Sequence, residues 1–188
     1  MPNSNRFFTI ALLAFAALAG PLSAANPLIV ISVPDQRLVL MENGLALAQF
    51  SVSTSKFGLG DRPRSYATPL GMMEVAAKIG DRAPLGTVFK GRRPTGEILR
   101  PDAPGRDPIV TRILHLRGLD TCNAGAFGRG IYIHGTAEER NVGRPASYGC
   151  IRMRSRDVVR LFDAVAVGTK IAVVNAPMAR VARQFAAN

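Results

Sequence analysis

The first part of the chain alternates between short apolar runs and turn-forming residues. The runs are rich in Val, Ile and Leu, and the segments between them contain Pro, Asp, Asn and Gly. Two such turns between three strand-like runs predict an antiparallel meander. The three predicted strands are LIVISV (28–33), RLVLM (37–41) and LALAQFSVS (45–53).

Further strands are predicted where the apolar pattern resumes. They are MMEVAAKI (72–79), IVTRILHL (109–116) and GIYIHG (130–135), separated by Gly- and Pro-rich segments at 54–71 and 80–108. These segments are predicted to be loops, with at most short strands in the second. In GIYIHG, period 2 places Ile131 and Ile133 on one face and sends Tyr132 and His134 to the other. If the isoleucines face the core, His134 faces the open side.

The period of the apolar positions changes after Cys150. A set of apolar residues now recurs at the spacing of one helix face. We expect Ser155 to cap this helix, Asp157 to favour its N-terminus through the helix dipole, and Gly168 to end it. The residues of the apolar face are Val158, Leu161, Phe162 and Val165.

These patterns predict one domain over residues 26–175, with KIAVV (170–174) as its last strand. The expected fold is mainly β, a β-sandwich or barrel-like sheet with one clear α-helix following Cys150. Residues 176–188 form a C-terminal tail, either a short helix or frayed.

Residues 1–25 have the pattern of a secretory signal peptide. One positive charge, at Arg6, precedes an apolar run that ends near Gly20, and small residues follow. We expect cleavage after Ala25 or Ala24. The apolar run is shorter than the roughly 20 residues of a spanning helix, so no stable membrane insertion is expected after cleavage. An uncleaved N-terminal anchor is the alternative. The remaining chain would be exported, to the periplasm or the cell wall.

The chain is strongly basic, with 24 Lys and Arg against 13 Asp and Glu and a formal net charge of +11. Such a surface favours an anionic partner, or it only confers solubility. Nucleic acid is not expected, because the chain has no Trp, no basic motif interleaved with aromatic residues, and a signal for export. The anionic polymer most available to an exported bacterial protein is the cell wall.

His134 and Cys150 are candidate catalytic residues. A cysteine nucleophile acts as the thiolate, so it needs a base or a positive charge nearby and backbone donors for an oxyanion. The turn at residues 147–149 offers backbone N–H groups for this purpose. We expect Arg152 and Arg154 to lower the pKa of the thiol from its free value of about 8.5.

The cysteines and histidines also have interpretations other than catalysis. In an oxidising compartment Cys122 and Cys150 can form a disulfide, and a bridged Cys150 could not be acylated. Otherwise Cys122 is a buried thiol or one that contacts the residues around the site, with reversible oxidation to Cys150 as a further hypothesis. His115, within an apolar strand, is interpreted as structural. Two histidines and two cysteines provide no set of zinc ligands, so no metal is expected.

The segment from Ile133 to Met153 carries a family resemblance. It reads IHGTxxxxxxGxxxSxGCIRM, preceded by TPLG (68–71) and followed by DVVRLFDAVAVGTKIAVV (157–174). These segments resemble the L,D-transpeptidase catalytic domain family (YkuD-like), and the resemblance covers nearly all of the chain after the signal peptide. Many members of the family have a histidine at the position of Tyr148.

The resemblance implies a role for each site residue. Cys150 is the acyl-accepting nucleophile and His134 is its general base and acid, with the imidazole oriented by the backbone carbonyl of Gly135. Arg152 organises the site or binds a substrate carboxylate. The oxyanion donors are the N–H groups of Tyr148, Gly149 and Cys150, and the residues assigned to substrate binding are Arg152, Tyr132 and Ser147. No cofactor is implied.

The reaction implied by the resemblance is a ping-pong acyl transfer. Cys150 takes the acyl group of a peptidoglycan tetrapeptide stem, and terminal D-Ala leaves. An amine of a second stem then forms a 3–3 cross-link. With water the same site is an L,D-carboxypeptidase, and with an amine on a protein it attaches that protein to the wall. Carbapenem-type β-lactams are the expected inhibitors.

Two other function classes remain. One is another cysteine acyltransferase with the His-then-Cys order, such as a sortase, although its Thr-Leu-x-Thr-Cys strand is absent. The other is a peptidoglycan-binding domain without catalysis, for which the basic surface alone would suffice.

Overall fold

This computed structural model describes residues 27–186, which contain ten strands and two helices. The strands are β1 (Leu28–Ser32), β2 (Arg37–Glu42), β3 (Leu45–Ser51), β4 (Gly71–Ile79), β5 (Thr87–Lys90), β6 (Arg93–Ile98), β7 (Ile109–Gly118), β8 (Tyr132–Thr136), β9 (Ile151–Met153) and β10 (Lys170–Val174). The helices are α1 (Ser155–Ala164) and α2 (Met178–Ala186). The predicted mainly β fold with a helix soon after Cys150 is confirmed.

The strands form one mixed sheet. Its main path runs β3-β2-β1-β10-β4-β7-β5-β6, and β8 pairs with β7 and with β9. β1, β2 and β3 are the predicted antiparallel meander. The pairs β1–β10 and β8–β9 are parallel, and in each case the connecting segment is long enough to return the chain to the same end of the sheet.

A single large core lies between the sheet and α1. Strands from distant positions in the sheet, among them β2, β4 and β8, contribute buried side chains to the same cluster as α1, so the sheet curves around the helix. The alternation predicted for β8 is confirmed, since Ile131 and Ile133 are both in this core. The helical face predicted after Cys150 is confirmed too. Its buried members are Val158, Leu161, Phe162 and Val165.

The ends of α1 differ from the prediction. Ser155 is the first helical residue rather than the cap, and its N–H donates to Glu139 Oε1 at 2.8 Å. A carboxylate from a distant segment thus replaces the local cap that the sequence suggested. The helix also ends at Ala164, before Gly168, which lies in the turn to β10 with φ +90°.

The long segment 54–71 is a loop, as predicted, and 80–108 contains the short strands β5 and β6. Part of the C-terminal segment forms α2, and Val181 packs with Val30 and Val39 on the other side of the meander. The signal peptide over 1–25 and its cleavage site lie outside the described residues, and the domain boundaries remain predictions. Within residues 27–186, no helix combines the length and the apolar character needed to span a membrane.

Candidate active site

The parallel pairing of β8 with β9 brings the two candidate catalytic residues to one face of the sheet. His134 is in register with Arg152, and Ile133 with Ile151. Both isoleucines are fully buried in the core, so His134 and Arg152 point away from it. Cys150 directly precedes β9 and is two residues from Arg152, which gives it the same face by period 2.

A tight loop fixes the position of Cys150. The Ser147 hydroxyl donates to the Cys150 carbonyl at 2.5 Å and accepts the N–H of Gly149 at 3.2 Å. Gly149 has φ +114°, and a Cβ there would lie 3.2 Å from the Ala67 carbonyl oxygen. A side chain would therefore be both strained and crowded. Thr68, from the TPLG segment, donates to the Gly149 carbonyl at 3.0 Å.

Cys150 opens into a cleft, which we call the cysteine cleft, of about 390 Å³. Its Sγ lies 3.4 Å from the Gly130 carbonyl oxygen, to which the thiol donates. Tyr66 and Tyr148 form exposed walls of the cleft. The full lining is Pro63, Arg64, Tyr66, Arg129, Gly130, Ile131, Tyr148 and Cys150.

Burial raises the pKa of the Cys150 thiol to about 11, although the Tyr132 backbone N–H and the charges of Arg152 and Arg129 act in the opposite direction. The expectation that nearby arginines lower this pKa below its free value is therefore wrong. Desolvation outweighs Arg152, and Arg154 is exposed and lines a different pocket, near the start of α1. The resting site holds a neutral thiol at neutral pH.

His134 is only 4% exposed, although it points away from the core. The expectation that it faces the open side is wrong, because the opposite face of β8 is itself covered. Burial lowers the pKa of His134 to about 4, and its hydrogen bond to the Gly135 carbonyl and the charge of Asp107 offset this only in part. The imidazole is neutral at pH 7.

The tautomer of His134 follows from its hydrogen bond. Nδ1 lies 2.8 Å from the Gly135 carbonyl oxygen. A carbonyl oxygen only accepts, so Nδ1 carries the proton and Nε2 carries the lone pair. The structure thus gives Gly135 the orienting contact that the resemblance implied, and it leaves Nε2 able to accept a proton.

Arg152 is held by acidic residues of its own chain. Its Nη1 lies 2.8 Å from Asp107 Oδ2 and 3.8 Å from Glu138 Oε2, and it donates to the Ala146 carbonyl at 3.2 Å. Asp107 in turn accepts from the Thr136 hydroxyl at 2.5 Å. Because the guanidinium is already paired and 8% exposed, the geometry favours an organising role over direct binding of a substrate carboxylate.

Residues 26–173 match the family model described as the L,D-transpeptidase catalytic domain, YkuD. The chain belongs to this family. The match covers the segment from β1 to β10, including the loop before Cys150. It favours an L,D-transpeptidase over the sortase-like alternative.

Similar proteins carry the same family name. Putative L,D-transpeptidase YqjB of Bacillus subtilis is 45% identical over 51 residues, which are 27% of this chain and 29% of that protein. An L,D-transpeptidase from Xylanimonas cellulosilytica has a similar structure, with TM-score 0.53 and 19% identity over 82% of this chain and 63% of that one. L,D-transpeptidase 3 from Mycobacterium tuberculosis, in complex with a faropenem-derived adduct, also has a similar structure. Its TM-score is 0.52, with 18% identity over 79% of this chain and 60% of that one. At such identities the two structures show the shared fold, and this chain spans less than two thirds of each protein.

Ser147 and Tyr132, two residues predicted to bind substrate, make structural contacts in this L,D-transpeptidase domain. Ser147 is fully buried, and its hydroxyl is used within the loop before Cys150. Tyr132 is half-buried and packs edge-on against His115 at 4.8 Å. His115 stacks on Phe127 at 4.1 Å, and its Nε2 lies 3.1 Å from the Phe127 carbonyl oxygen. His115 therefore has the structural surroundings that its apolar strand predicted.

Sequence reasoning missed Arg129, which anchors one wall of the cysteine cleft. Arg129 Nη1 lies 2.6 Å from Asp61 Oδ1, and Nη2 donates to the Ala67 carbonyl at 2.7 Å. These contacts tie the loop 54–71 to the segment before β8. The pair is 68 residues apart in the chain, and no short motif signals it.

Both cysteines are free thiols in the L,D-transpeptidase domain, and Cys122 is exposed, not buried. Cys122 Sγ lies 3.7 Å from the Leu70 carbonyl oxygen, and Cys122 does not line the cysteine cleft. Across residues 27–186, no group of three or more His, Cys, Asp and Glu side chains is placed to hold a metal ion.

Proposed function

We propose that this chain is a peptidoglycan L,D-transpeptidase that uses Cys150 as nucleophile and His134 as general base and acid. The single observation that carries this proposal is the pairing of β8 with β9. His134 and Arg152 are in register across this pair, Cys150 lines a cleft just before β9, and the Nδ1 hydrogen bond leaves the lone pair of His134 on Nε2. Family membership supports the reaction class.

Acylation starts from the neutral pair. Because the thiol pKa is raised and the imidazole pKa is lowered, a thiolate–imidazolium pair is not the resting state. His134 Nε2 takes the thiol proton as sulfur attacks the carbonyl that precedes the terminal D-Ala of a tetrapeptide stem. The charge that develops on the carbonyl oxygen is stabilised by the backbone N–H groups of Tyr148 and Cys150.

The Gly149 N–H contributes less to this oxyanion site than the resemblance implied. It already donates to the Ser147 hydroxyl at 3.2 Å. The hydrogen bond of the Gly149 N–H instead holds the loop in the conformation that points the neighbouring N–H groups at the oxyanion. Ser147 is accordingly a positioning residue, since its hydroxyl is buried within the loop.

His134 then protonates the departing D-Ala amine, which ends acylation and leaves a thioester on Cys150. Deacylation completes the transfer. An amine of a second stem then attacks the thioester and forms a 3–3 cross-link. The same site gives an L,D-carboxypeptidase with water and anchors a protein when the amine belongs to one.

The proposal includes the compartment and the inhibitors. The chain is exported to the periplasm or cell wall by its N-terminal signal, and its positive charge, +11 for the full sequence, favours contact with the anionic wall. β-Lactams acylate Cys150, by analogy with the Mycobacterium tuberculosis relative that holds a faropenem-derived adduct.

The proposed function is tested by incubating the chain with tetrapeptide muropeptides and measuring product masses. A cross-linked dimer is expected in addition to free D-Ala. Tripeptide without dimer would assign the site to an L,D-carboxypeptidase. Unchanged substrate, with protein shown to be folded and reduced, would contradict catalysis and leave wall binding as the function.

A further inference from the structure

Three aromatic side chains form an exposed cluster at the mouth of the cysteine cleft. We call them the aromatic cluster, and they are Phe57, Tyr66 and Tyr148, with exposed fractions of 52%, 57% and 53%. Their ring centroids lie 5.2 to 5.9 Å apart in all three pairs. Tyr66 and Tyr148 line the cleft, whereas Phe57 does not. The cluster therefore extends beyond the cleft, and no step of the proposed reaction uses its rings.

Hydrogen bonds to a buried side chain hold the aromatic cluster in place. The Ser55 hydroxyl accepts the Phe57 N–H at 2.9 Å and donates to the Tyr66 carbonyl at 2.6 Å, so one group fixes the backbone under two rings. The Lys56 N–H donates to the carbonyl of Ser147, the residue before the third ring, at 3.1 Å. The surface is thus formed before a ligand binds, and binding does not have to order the loop.

Tyr66 has a backbone conformation that is uncommon for a bulky residue. Its φ is +55°, in the left-handed region. Such conformations persist where the surroundings fix them, and they are concentrated at functional sites. Burial of the ring does not explain the conformation, because Tyr66 is 57% exposed. The fold thus holds a large aromatic ring in solvent beside the cleft, in spite of the strain.

The third ring distinguishes this chain from many members of its family, which have a histidine at the position of Tyr148. Here the Tyr148 ring packs against Phe57 at 5.2 Å and edge-on against Tyr66 at 5.9 Å. Lys56 Nζ lies 4.5 Å from the Tyr148 ring centroid and donates to its hydroxyl at 3.1 Å. The tyrosine therefore completes the cluster and places a cation at its border.

The area of the aromatic cluster indicates the size of its partner. A fully buried aromatic side chain contributes about 150–250 Å², so three half-exposed rings offer roughly 300 Å² in total. A protein partner of ordinary affinity takes about 800 Å² from each side of an interface. The cluster is too small for such a partner, and it has the size of a surface that one or two sugar rings cover.

A sugar also matches the chemistry of the aromatic cluster. The C–H bonds on one side of a pyranose form an apolar face with a slight positive charge, and the face of an aromatic ring is negative. The edge of the sugar carries hydroxyl and acetamido groups. Lys56 Nζ and the Tyr148 hydroxyl lie at the border of the cluster, where they can form hydrogen bonds with these groups. A lipid chain would leave both of them without a partner.

The proposed substrate carries sugars within reach of the aromatic cluster. The stem peptide of peptidoglycan is attached through its N-terminus to a sugar of the glycan strand, and its third residue provides the acyl group for Cys150. Three extended residues span at most about 10 Å. The cluster begins at Tyr148, two residues from Cys150, and continues across ring separations of 5.2 and 5.9 Å. A sugar at the end of the bound stem can therefore contact the rings.

We infer that the aromatic cluster binds the N-acetylated sugars that carry the donor stem, with a sugar ring stacked on Phe57 and Tyr66 and its polar edge at Lys56. The inference rests on the proposed function and adds a substrate contact outside the reacting peptide. The chain accordingly prefers a stem that is still attached to its disaccharide. Because the contact is the same before and during the reaction, it lowers KM and leaves kcat unchanged.

The test compares two donors that differ only in the disaccharide. D-Ala release is measured against concentration for the disaccharide-tetrapeptide and for the free tetrapeptide, and the KM of the free peptide is divided by that of the disaccharide form. This preference is expected to be about tenfold in the wild type and to fall about threefold to tenfold in Phe57→Ala and in Tyr66→Ala, the contribution of one aromatic contact. Phe57→Ala is expected to keep the wild-type KM for the free tetrapeptide, since Phe57 does not line the cleft.

Matched variants separate the ring from general apolar cover. Phe57→Tyr keeps the ring and is expected to keep the preference, whereas Phe57→Leu keeps apolar bulk and loses most of it. Tyr148→His introduces the residue of many family members and lowers the preference, which is a quotient and so is independent of rate changes common to both donors. Leu85→Ala removes an apolar side chain that is 48% exposed and lines a different pocket, and its preference equals that of the wild type.

Equal KM values for the two donors in the wild type, or a preference unchanged in Phe57→Ala, Tyr66→Ala and Tyr148→His, would overturn this inference. The transpeptidase would remain intact in either case, since D-Ala would still be released. No release of D-Ala from either donor by folded, reduced wild-type protein would instead overturn the proposed function, and the sugar contact with it.

Discussion

Replacing Cys150 by alanine is expected to abolish the conversion of tetrapeptide, by about 10⁴-fold or more, because no other side chain in the cysteine cleft can form the covalent intermediate. The protein is expected to remain folded. Position 150 lies in a loop held by hydrogen bonds of Ser147 and Gly149, and the Cys150 side chain supplies none of these bonds. The rate is measured from D-Ala release at saturating substrate.

The matched control for this variant is Cys122→Ala. Cys122 is exposed and does not line the cleft, so its removal is expected to leave the rate unchanged. A Cys150→Ala protein with near wild-type turnover would contradict the assignment of the nucleophile. An equal loss of rate in both variants would also contradict it, because Cys122 does not line the cleft and has no contact that would explain such a loss.

Replacing His134 by glutamine is expected to lower the rate of Cys150 acylation by about 10²- to 10⁴-fold, the usual contribution of a positioned general base. Glutamine retains a polar side chain but cannot accept and return the proton. The loss has a specific cause here, since the thiol pKa of about 11 makes the unassisted thiolate rare at neutral pH. Acylation is measured by intact mass against time with a carbapenem.

The acylation rate of the wild type should also depend on pH in a predictable direction. The form of His134 that acts in the proposed mechanism is neutral, and burial lowers its pKa to about 4 from the usual 6.5. The rate should therefore be constant from neutral pH down to about 5 and fall as the pH drops through about 4. A midpoint near 6.5 would contradict the burial of His134.

The other histidine is the control for this profile. His115→Gln changes a residue that is stacked on Phe127 and is not part of the cysteine cleft. It can reduce stability, because the ring is buried, but the acid midpoint should stay near that of the wild type. If His115→Gln shifted the midpoint while His134→Gln did not, the roles of the two histidines would have to be exchanged.

Much of the fold could be predicted from local patterns. The meander of β1 to β3 follows from two short turns between apolar runs, and the buried face of α1 follows from its helical spacing. The alternation in β8 correctly placed Ile133 in the core and His134 on the opposite face. Period and turn chemistry are properties of neighbouring residues, which a single sequence displays directly.

The environment of the site could not be predicted in the same way. His134 is buried because other segments cover its face of the sheet. The alternation of residues within β8 does not reveal that these segments pack there. The Glu139 carboxylate that receives the first N–H of α1 is 16 residues away. Arg129 and Asp61 are further apart still, and their ion pair depends on the path of a Gly-rich loop.

The direction of the Cys150 pKa shift is another property that could not be predicted from the sequence. The sequence reveals Arg152 near the cysteine, but it does not reveal that Asp107 pairs with this arginine or that the thiol is desolvated. A neighbouring charge shifts the pKa of a thiol less when a partner neutralises that charge, and the effect of burial on the pKa is then larger by comparison. The candidate residues were thus predictable from one contiguous motif, whereas their protonation states required the three-dimensional structure.

The most direct test of the account is the intact mass of the protein during reaction with tetrapeptide in the absence of an amine acceptor. We predict a transient increase equal to the tetrapeptide minus D-Ala, located on the peptide that contains Cys150 and lost on addition of an acceptor amine as cross-linked product appears. Substrate turnover with no adduct on Cys150 under rapid quenching, or an adduct on another residue, would contradict the central claim.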